Sequence, residues 1–230
     1  MDHPTALIGT LDPISRYQLL AHFNTRYGGA RQRYAVKISA TQAWCSRHGE
    51  LHAASAIKVD LPDTTTKRIV NAAVAGLTAI SRRFVYKPFG SVLLYTAIEQ
   101  EALARRRIVL QGSRPVIHWD LSVTELEHLW RFSDHVTASL HRNGWLKRRP
   151  KVPSVEALRG LALDACHPMG GLRMGLDPRH SGVDSNLQLH DCPGIYVCTA
   201  AVYPSGSHSN PTMTLFALAD RLAGHLLKPC

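Results

Sequence analysis

The chain has 230 residues, 45% of them hydrophobic and 19% charged, which fits one or two globular domains large enough to bury a core. No run reaches the roughly 18 apolar residues of a membrane span, and Met1 to Thr5 lacks the basic region and apolar stretch of a signal peptide. Five cysteines (Cys45, Cys166, Cys192, Cys198, Cys230) without a C-x-x-C pair point to free thiols and a reducing, cytoplasmic setting.

The net charge of +10 brings nucleic acid and anionic surfaces into consideration as partners. The basic residues concentrate at Arg105-Arg106-Arg107 and at Lys147-Arg148-Arg149-Pro150-Lys151, each at an element boundary. Neither run interleaves with aromatics, and no zinc-finger or RNP-like pattern occurs, so both read as solvated turns and no specific nucleic-acid partner is expected.

In chain order, β-rich runs bounded by turn residues lie at 34–39 and 56–60. A glycine-rich loop at 28–33 precedes them. After Leu61-Pro62-Asp63, Ile69, Ala73, Leu77 and Ile80 recur at helical spacing, with Lys67, Arg68 and Arg82 assigned to the exposed face. Further strands are expected at 91–96, 107–110 and 116–118. Ser122-Val123-Thr124-Glu125 is a capping box, and Leu126, Leu129, Ser133, Val136 and Leu140 continue its helix to a stop at Asn143-Gly144. About 20 residues long, that helix spans about 30 Å, enough to cross the back of a sheet. The result is a mostly antiparallel sheet with one face covered. A basic, proline-containing linker occupies 145–155.

The last third carries the chemistry. His167 lies in a loop before Pro168 and the Gly170-Gly171 pair, and histidine is the side chain suited to take a proton from an alcohol near neutral pH. Gly194 to Thr199 reads as a short buried strand, followed by a small-residue loop at 200–209. A helix is expected from Asn210, as N-cap before Pro211, through Leu227. Its first turn leaves N–H groups and the positive end of the helix dipole available to an electron-rich ligand.

Other constellations are weaker. His180, Asp184, His190 and Cys192 fall close together but match no zinc-binding spacing, so no metal is expected. Ser205-Gly206-Ser207-His208 cannot form a nucleophile triad from adjacent loop residues, and His208 instead is expected to line a substrate face near Asn210.

The succession HPMGGLRMG, GVDSNLQLH, GIYVCTAAVYP, SGSHSNPTMT and LFALADRLAGHL resembles the C-terminal signature of the glucose-methanol-choline (GMC) flavoprotein oxidoreductases in order and spacing. Upstream, Ile98-Glu99-Gln100, Arg107 to Leu110 and Trp119-Asp120 resemble the family's substrate domain, and Met1-Asp2-His3-Pro4 resembles its D-H-P element. The resemblance implies an enzyme of mixed α+β and α/β class: a substrate-binding portion over 1–150, and over 151–230 a strand-loop-helix of a Rossmann-like FAD domain. It implies FAD as cofactor and a small-molecule alcohol as substrate, with His167 as base and Asn210 holding the substrate oxygen. Thr199, Ala200, Asn210, Pro211 and Thr212 would face the flavin. Many relatives have Asp where this chain has Thr199, which leaves backbone contacts there. No G-x-G-x-x-G occurs, so the resemblance places the chain in the C-terminal half of a flavoenzyme. The alternative is a non-catalytic remnant or a split subunit that needs an N-terminal partner to hold FAD. The electron acceptor and the particular alcohol are open.

Overall fold

A computed structural model describes residues 1–28 and 32–227. Residues 29–31, in the loop expected at 28–33, and Cys230 lie outside the described residues. In chain order the elements are strand β1 (Thr5–Leu11), helix α1 (Arg16–Phe23), short strands β2 (Arg26–Tyr27), β3 (Arg33–Tyr34) and β4 (Ile38–Ser39), and helix α2 (Gln42–His48). Then follow β5 (Ala53–Val59), α3 (Thr65–Arg82), β6 (Val92–Ile98), the hairpin β7 (Arg107–Gln111) and β8 (Arg114–His118), and α4 (Val123–Arg142). The chain continues through α5 (Val155–Leu161), β9 (Ala162–Leu163), a 3-10 turn at Ala200–Val202 and α6 (Thr212–Leu226).

Two compact units interleave along the sequence. One contains Met1–Pro4, Glu99–Glu125 and Asp164–Cys230, and the other Thr5–Ile98 and Leu126–Leu163.

The second unit holds a five-stranded sheet in the order β4-β5-β6-β1-β9, with every pairing antiparallel. The central strands β5 and β6 pair in unbroken register from Ala53↔Ile98 to Val59↔Val92. α4 covers the sheet as its sequence dictates: Leu126, Leu129, Phe132, Ser133, Val136 and Leu140 are all buried. The buried hydroxyls are satisfied, because Ser133 Oγ donates to Leu129 O (2.7 Å) and to Thr96 Oγ1 (3.2 Å), which also meets Ser55 Oγ at 2.7 Å. Among the described residues of this unit, Phe23, Trp44, Phe132 and Trp145 line an apolar cavity of about 350 Å³.

Two expectations need correction here. The run at 34–39 is split between β3 and β4. The helix after Pro62 forms, capped by Thr64 accepting from Lys67 N, but its apolar stripe faces outward: Ile69, Leu77 and Ile80 are exposed, Ile80 at 85%. Periodicity registers a face without saying where it points. The buried residue of α3 is Asn71, whose amide donates to Phe89 O and accepts from Phe89 N, both at 3.0 Å.

The first unit packs Met169, Val183, Leu187, Val202, Tyr203 and Leu218 into a small core. Its polar anchor is Arg106, whose side chain is 3% exposed. The guanidinium donates to Glu125 Oε1 (2.7 Å), to Asp120 Oδ1 (2.8 Å) and to Glu101 O (2.8 Å). Glu125 in turn accepts from the backbone N–H of Ser122 and of Glu101, both at 2.9 Å, and its own N–H donates to Ser122 Oγ at 3.1 Å. The expected capping box is therefore present and doubles as the acceptor of a buried ion pair. Arg106 does not belong to a solvated turn, as the basic run suggested. The runs are partly paired, with Arg105 on Asp120, Lys147 and Arg148 on Asp12, and Arg149 on Asp134.

Burial opposes charge on Glu125, yet hydrogen bonds from Arg106 and from the N–H groups of Ser122 and Glu101 outweigh it and hold the carboxyl below its ordinary value of 4.5. A carboxylate depressed in this way stabilises the fold fully above its unfolded value and ceases to do so as pH falls through the folded one. Stability should thus decline as pH falls below 4.5. Glu125→Gln, which leaves Arg106 buried without its partner, should cost about 3 kcal/mol at pH 7. Urea unfolding at pH 7 and pH 4 measures both, and a variant as stable as wild type at pH 7 would contradict the anchor.

Candidate functional site

The loop bearing His167 is fixed from two sides within the first unit. Downstream of the histidine, Gly170 N, Leu172 N and Met174 N donate to Ala200 O (3.0 Å), Ala201 O (3.0 Å) and Val202 O (2.8 Å), so the segment runs alongside the 3-10 turn. On the other side Met169 N donates to Met1 O at 2.8 Å and Met169 O accepts from Met1 N at 3.0 Å. Glycine is required at 170, where φ is +85° and a Cβ would lie 3.0 Å from Met1 Cε.

Cys166, immediately before His167, has φ +57°. A left-handed non-glycine residue costs of order 1 kcal/mol and persists only where the surroundings over-determine it. Here Cys166 N donates to Asp164 Oδ1 (2.7 Å) and Ala165 N to Asp2 Oδ2 (3.1 Å).

The His167 ring stacks on His3, with centroids 4.8 Å apart and planes 14° from parallel. Asp2, His3 and His167 each bring a ligand-type atom within 4.8 Å of the others. His167 Nδ1 is buried and has no hydrogen-bond partner among the described residues. Leaving such a nitrogen unsatisfied costs about 1–3 kcal/mol, so the position is suited to a polar ligand atom.

The flavin-facing candidates fall on the elements flanking this loop. Thr199 opens the 3-10 turn, its Oγ1 accepting from Ala201 N at 3.2 Å, and Ala200 is the turn's first residue. Asn210 and Pro211 line a cleft of about 300 Å³ together with Met169, Tyr203, Gly206 and Thr214. Tyr203 OH donates to Pro211 O at 2.8 Å, tying turn to helix. Burial raises the Tyr203 phenol above its ordinary value, which keeps it a neutral donor. His208 is half-buried in the preceding loop and is not among the residues that line this cleft. His167 and Asn210 are not hydrogen-bonded to each other among the described residues.

Two expectations fail locally. Helix α6 starts at Thr212 with Pro211 as its N-cap residue (φ −72°, ψ −9°) and no side-chain cap, so Asn210 does not cap it. Pro211 has helical dihedrals and its carbonyl accepts from Leu215 N at 3.0 Å, and with proline in the cap position no side chain is there to accept from the first turn. The strand expected at 194–199 reduces to one bridge, Gln188↔Tyr196, with Ile195 exposed. Its described partner is the short 187–189 segment, too little for a ladder.

The His180, Asp184, His190 and Cys192 group is dispersed into local roles. His190 Nε2 meets Ser181 Oγ (3.0 Å), and Asp184 Oδ1 accepts from Asn186 N and Gln188 N. Sequence reasoning gave no role to Asp2 or His3. Their one signal was the M-D-H-P tetrapeptide, 163 residues away from Ala165.

A family model described as GMC oxidoreductase matches residues 103–219, just over half of the chain. The chain belongs to the GMC oxidoreductase family. It is 39% identical over 61 residues to the fructose dehydrogenase large subunit of Gluconobacter japonicus, covering 26% of this chain and 11% of that protein. Its fold is similar to pyridoxine 4-oxidase from Mesorbium loti (16% identity, TM-score 0.53, 98% of this chain and 42% of that one). It is similar also to a formate oxidase variant of Aspergillus oryzae RIB40 (15% identity, TM-score 0.54, 97% of this chain and 46% of that one). The chain thus spans less than half the length of these solved structures. Among the described residues, no helix is long and apolar enough to cross a membrane.

Because Asn210 caps nothing, Asn210→Ala should change unfolding free energy by less than about 0.5 kcal/mol, as at an ordinary surface position. A loss of about 1 kcal/mol or more in urea unfolding would instead indicate an N-cap.

Proposed function

We propose that this chain supplies the substrate-side catalytic residues of an FAD-dependent oxidoreductase acting on the CH–OH group of a small-molecule alcohol. The observation that carries this reading is the buried, unsatisfied Nδ1 of His167, on a loop braced against the turn that the family resemblance assigns to the flavin. Family membership and relatives named fructose dehydrogenase and pyridoxine 4-oxidase support the donor class. The formate oxidase of similar fold, studied for its FAD modification, supports the cofactor.

The residues present fit the flavin end of FAD. The amide-bearing turn at Thr199 and Ala200 and the start of α6, where no side chain caps the helix, offer backbone N–H groups (those of Asn210 and Thr212, Pro211 having none) and a positive dipole end. On this reading the 3-10 turn and α6 belong to a Rossmann-like FAD domain over 151–230, and β1, β4, β5 and β6 of the sheet to a substrate-binding portion over 1–150. When bound, FAD supplies the hydride acceptor for the carbinol carbon.

His167 then accepts the hydroxyl proton on an unprotonated ring nitrogen. Asn210 cannot take up that proton, so its part is to donate an N–H to the substrate oxygen and orient it. Proton chemistry therefore rests on His167.

In the flavin-loaded enzyme, His167→Ala should slow flavin reduction by at least about a hundredfold, the contribution expected of a positioned base. Stopped-flow reduction with a panel of primary and secondary alcohols measures it. Reduction at the wild-type rate would refute the assignment.

A further inference from the structure

The geometry points to Asp2 and His3 as positioning residues for His167, with Asp2 clamping together the two segments that carry the histidines and His3 fixing the plane of the His167 ring. The inference rests on the reading of His167 as the base, and adds two residues that touch the reaction only through it.

Asp2 is 3% exposed, and both carboxylate oxygens are committed. Oδ1 accepts from His3 N at 2.6 Å, and Oδ2 accepts from Ala165 N at 3.1 Å. One side chain therefore joins residue 3 to the residue two places before His167. The clamp is itself held from behind: Asp2 N donates to the side-chain oxygen of buried Gln100 at 3.0 Å, and the Gln100 amide donates to Asp120 O at 2.8 Å. Asp120 and Glu125 are the two carboxylates on Arg106, so the clamp ends on a buried ion pair rather than on a mobile side chain. Gly206 passes close by, since a Cβ there would lie in ordinary contact with Met169 Cε (3.4 Å) and Asp2 O (3.8 Å).

His3, also buried, turns that fixed backbone into a fixed surface. Its ring lies 4.8 Å from the His167 ring at 14°. An imidazole on a loop otherwise rotates about two side-chain bonds. Stacking against an immobile ring selects one orientation, and with it the direction in which the ring nitrogens point. Each Asp2 oxygen is hydrogen-bonded to a backbone N–H and the two rings are stacked, which makes the three side chains one braced set.

The test has a structural and a kinetic arm. In the 230-residue chain, the His167 imidazole protons should show a single set of signals shifted upfield by the His3 ring. His3→Phe, which keeps a flat ring, should retain the shift; His3→Ala should lose it; Asp2→Asn, which replaces one accepting oxygen by a donor, should broaden the signals.

In the flavin-loaded enzyme, His3→Ala and Asp2→Asn should lower the rate constant of flavin reduction by about tenfold or more, as loss of near-attack alignment does, with KM unchanged. His3→Phe should stay close to wild type. The alcohol used is the best reductant in a panel of primary and secondary alcohols. If Asp2→Asn fails to fold, the His3→Ala and His3→Phe pair decides the matter. Wild-type rates in His3→Ala beside a crippled His167→Ala would overturn the positioning role and leave the base standing. Wild-type rates in His167→Ala would overturn the base itself.

Discussion

The constraint on which the candidate site depends is the bracing of one short loop. His167 sits between a strained Cys166 and a proline, and the hydrogen bond within that loop, from Cys166 N to Asp164 Oδ1, does not reach it. Order comes from outside: three backbone hydrogen bonds to the turn Ala200–Val202, two to Met1, and one from Ala165 to the Asp2 carboxylate. A base must be held within a fraction of an ångström of the proton it takes, and short-range secondary structure is not available here to hold it. The segments on both sides supply a partial ladder in its place.

That ladder needs something immobile to lean on. Arg106, almost wholly buried, is matched by Glu125 and Asp120 and by the Glu101 carbonyl, so its charge is paired at nearly every donor. A buried ion pair contributes little net stability against an apolar replacement, but breaking one is costly, which makes it a stiff anchor. Through Asp120 and Gln100 its rigidity reaches Asp2. The capping box that starts α4 is built from the same glutamate, so helix start and site support share one side chain.

Much of this was legible in the chain, and unevenly so. The long α4 was readable to within a residue, because capping box, apolar spacing and the Asn143-Gly144 stop all agree. β1 escaped notice because a register shift between Leu7 and Gly9 breaks its alternation: Ala6 and Ile8 face inward and then Leu11. The stripe on α3 was visible while its outward direction was not, since spacing encodes a face and not its neighbour. At the candidate site, His167 and the residues from Thr199 to Thr212 were nominated by linked motifs close together in sequence. Asp2 and His3 lay in the D-H-P element, which carried no role by itself. Their importance comes from contacts across more than 160 residues, which only the folded chain brings together.

Native-state hydrogen exchange at the amides of Met169, Gly170, Leu172 and Met174 tests the bracing most directly. If these bonds hold the His167 loop as a unit, all four amides should open only in the same cooperative event that exposes the Val183 and Val202 core, with closely matching opening free energies. Fast exchange of these amides, independent of one another and of the core, would mean that the loop is not held, and the account of the site would fail.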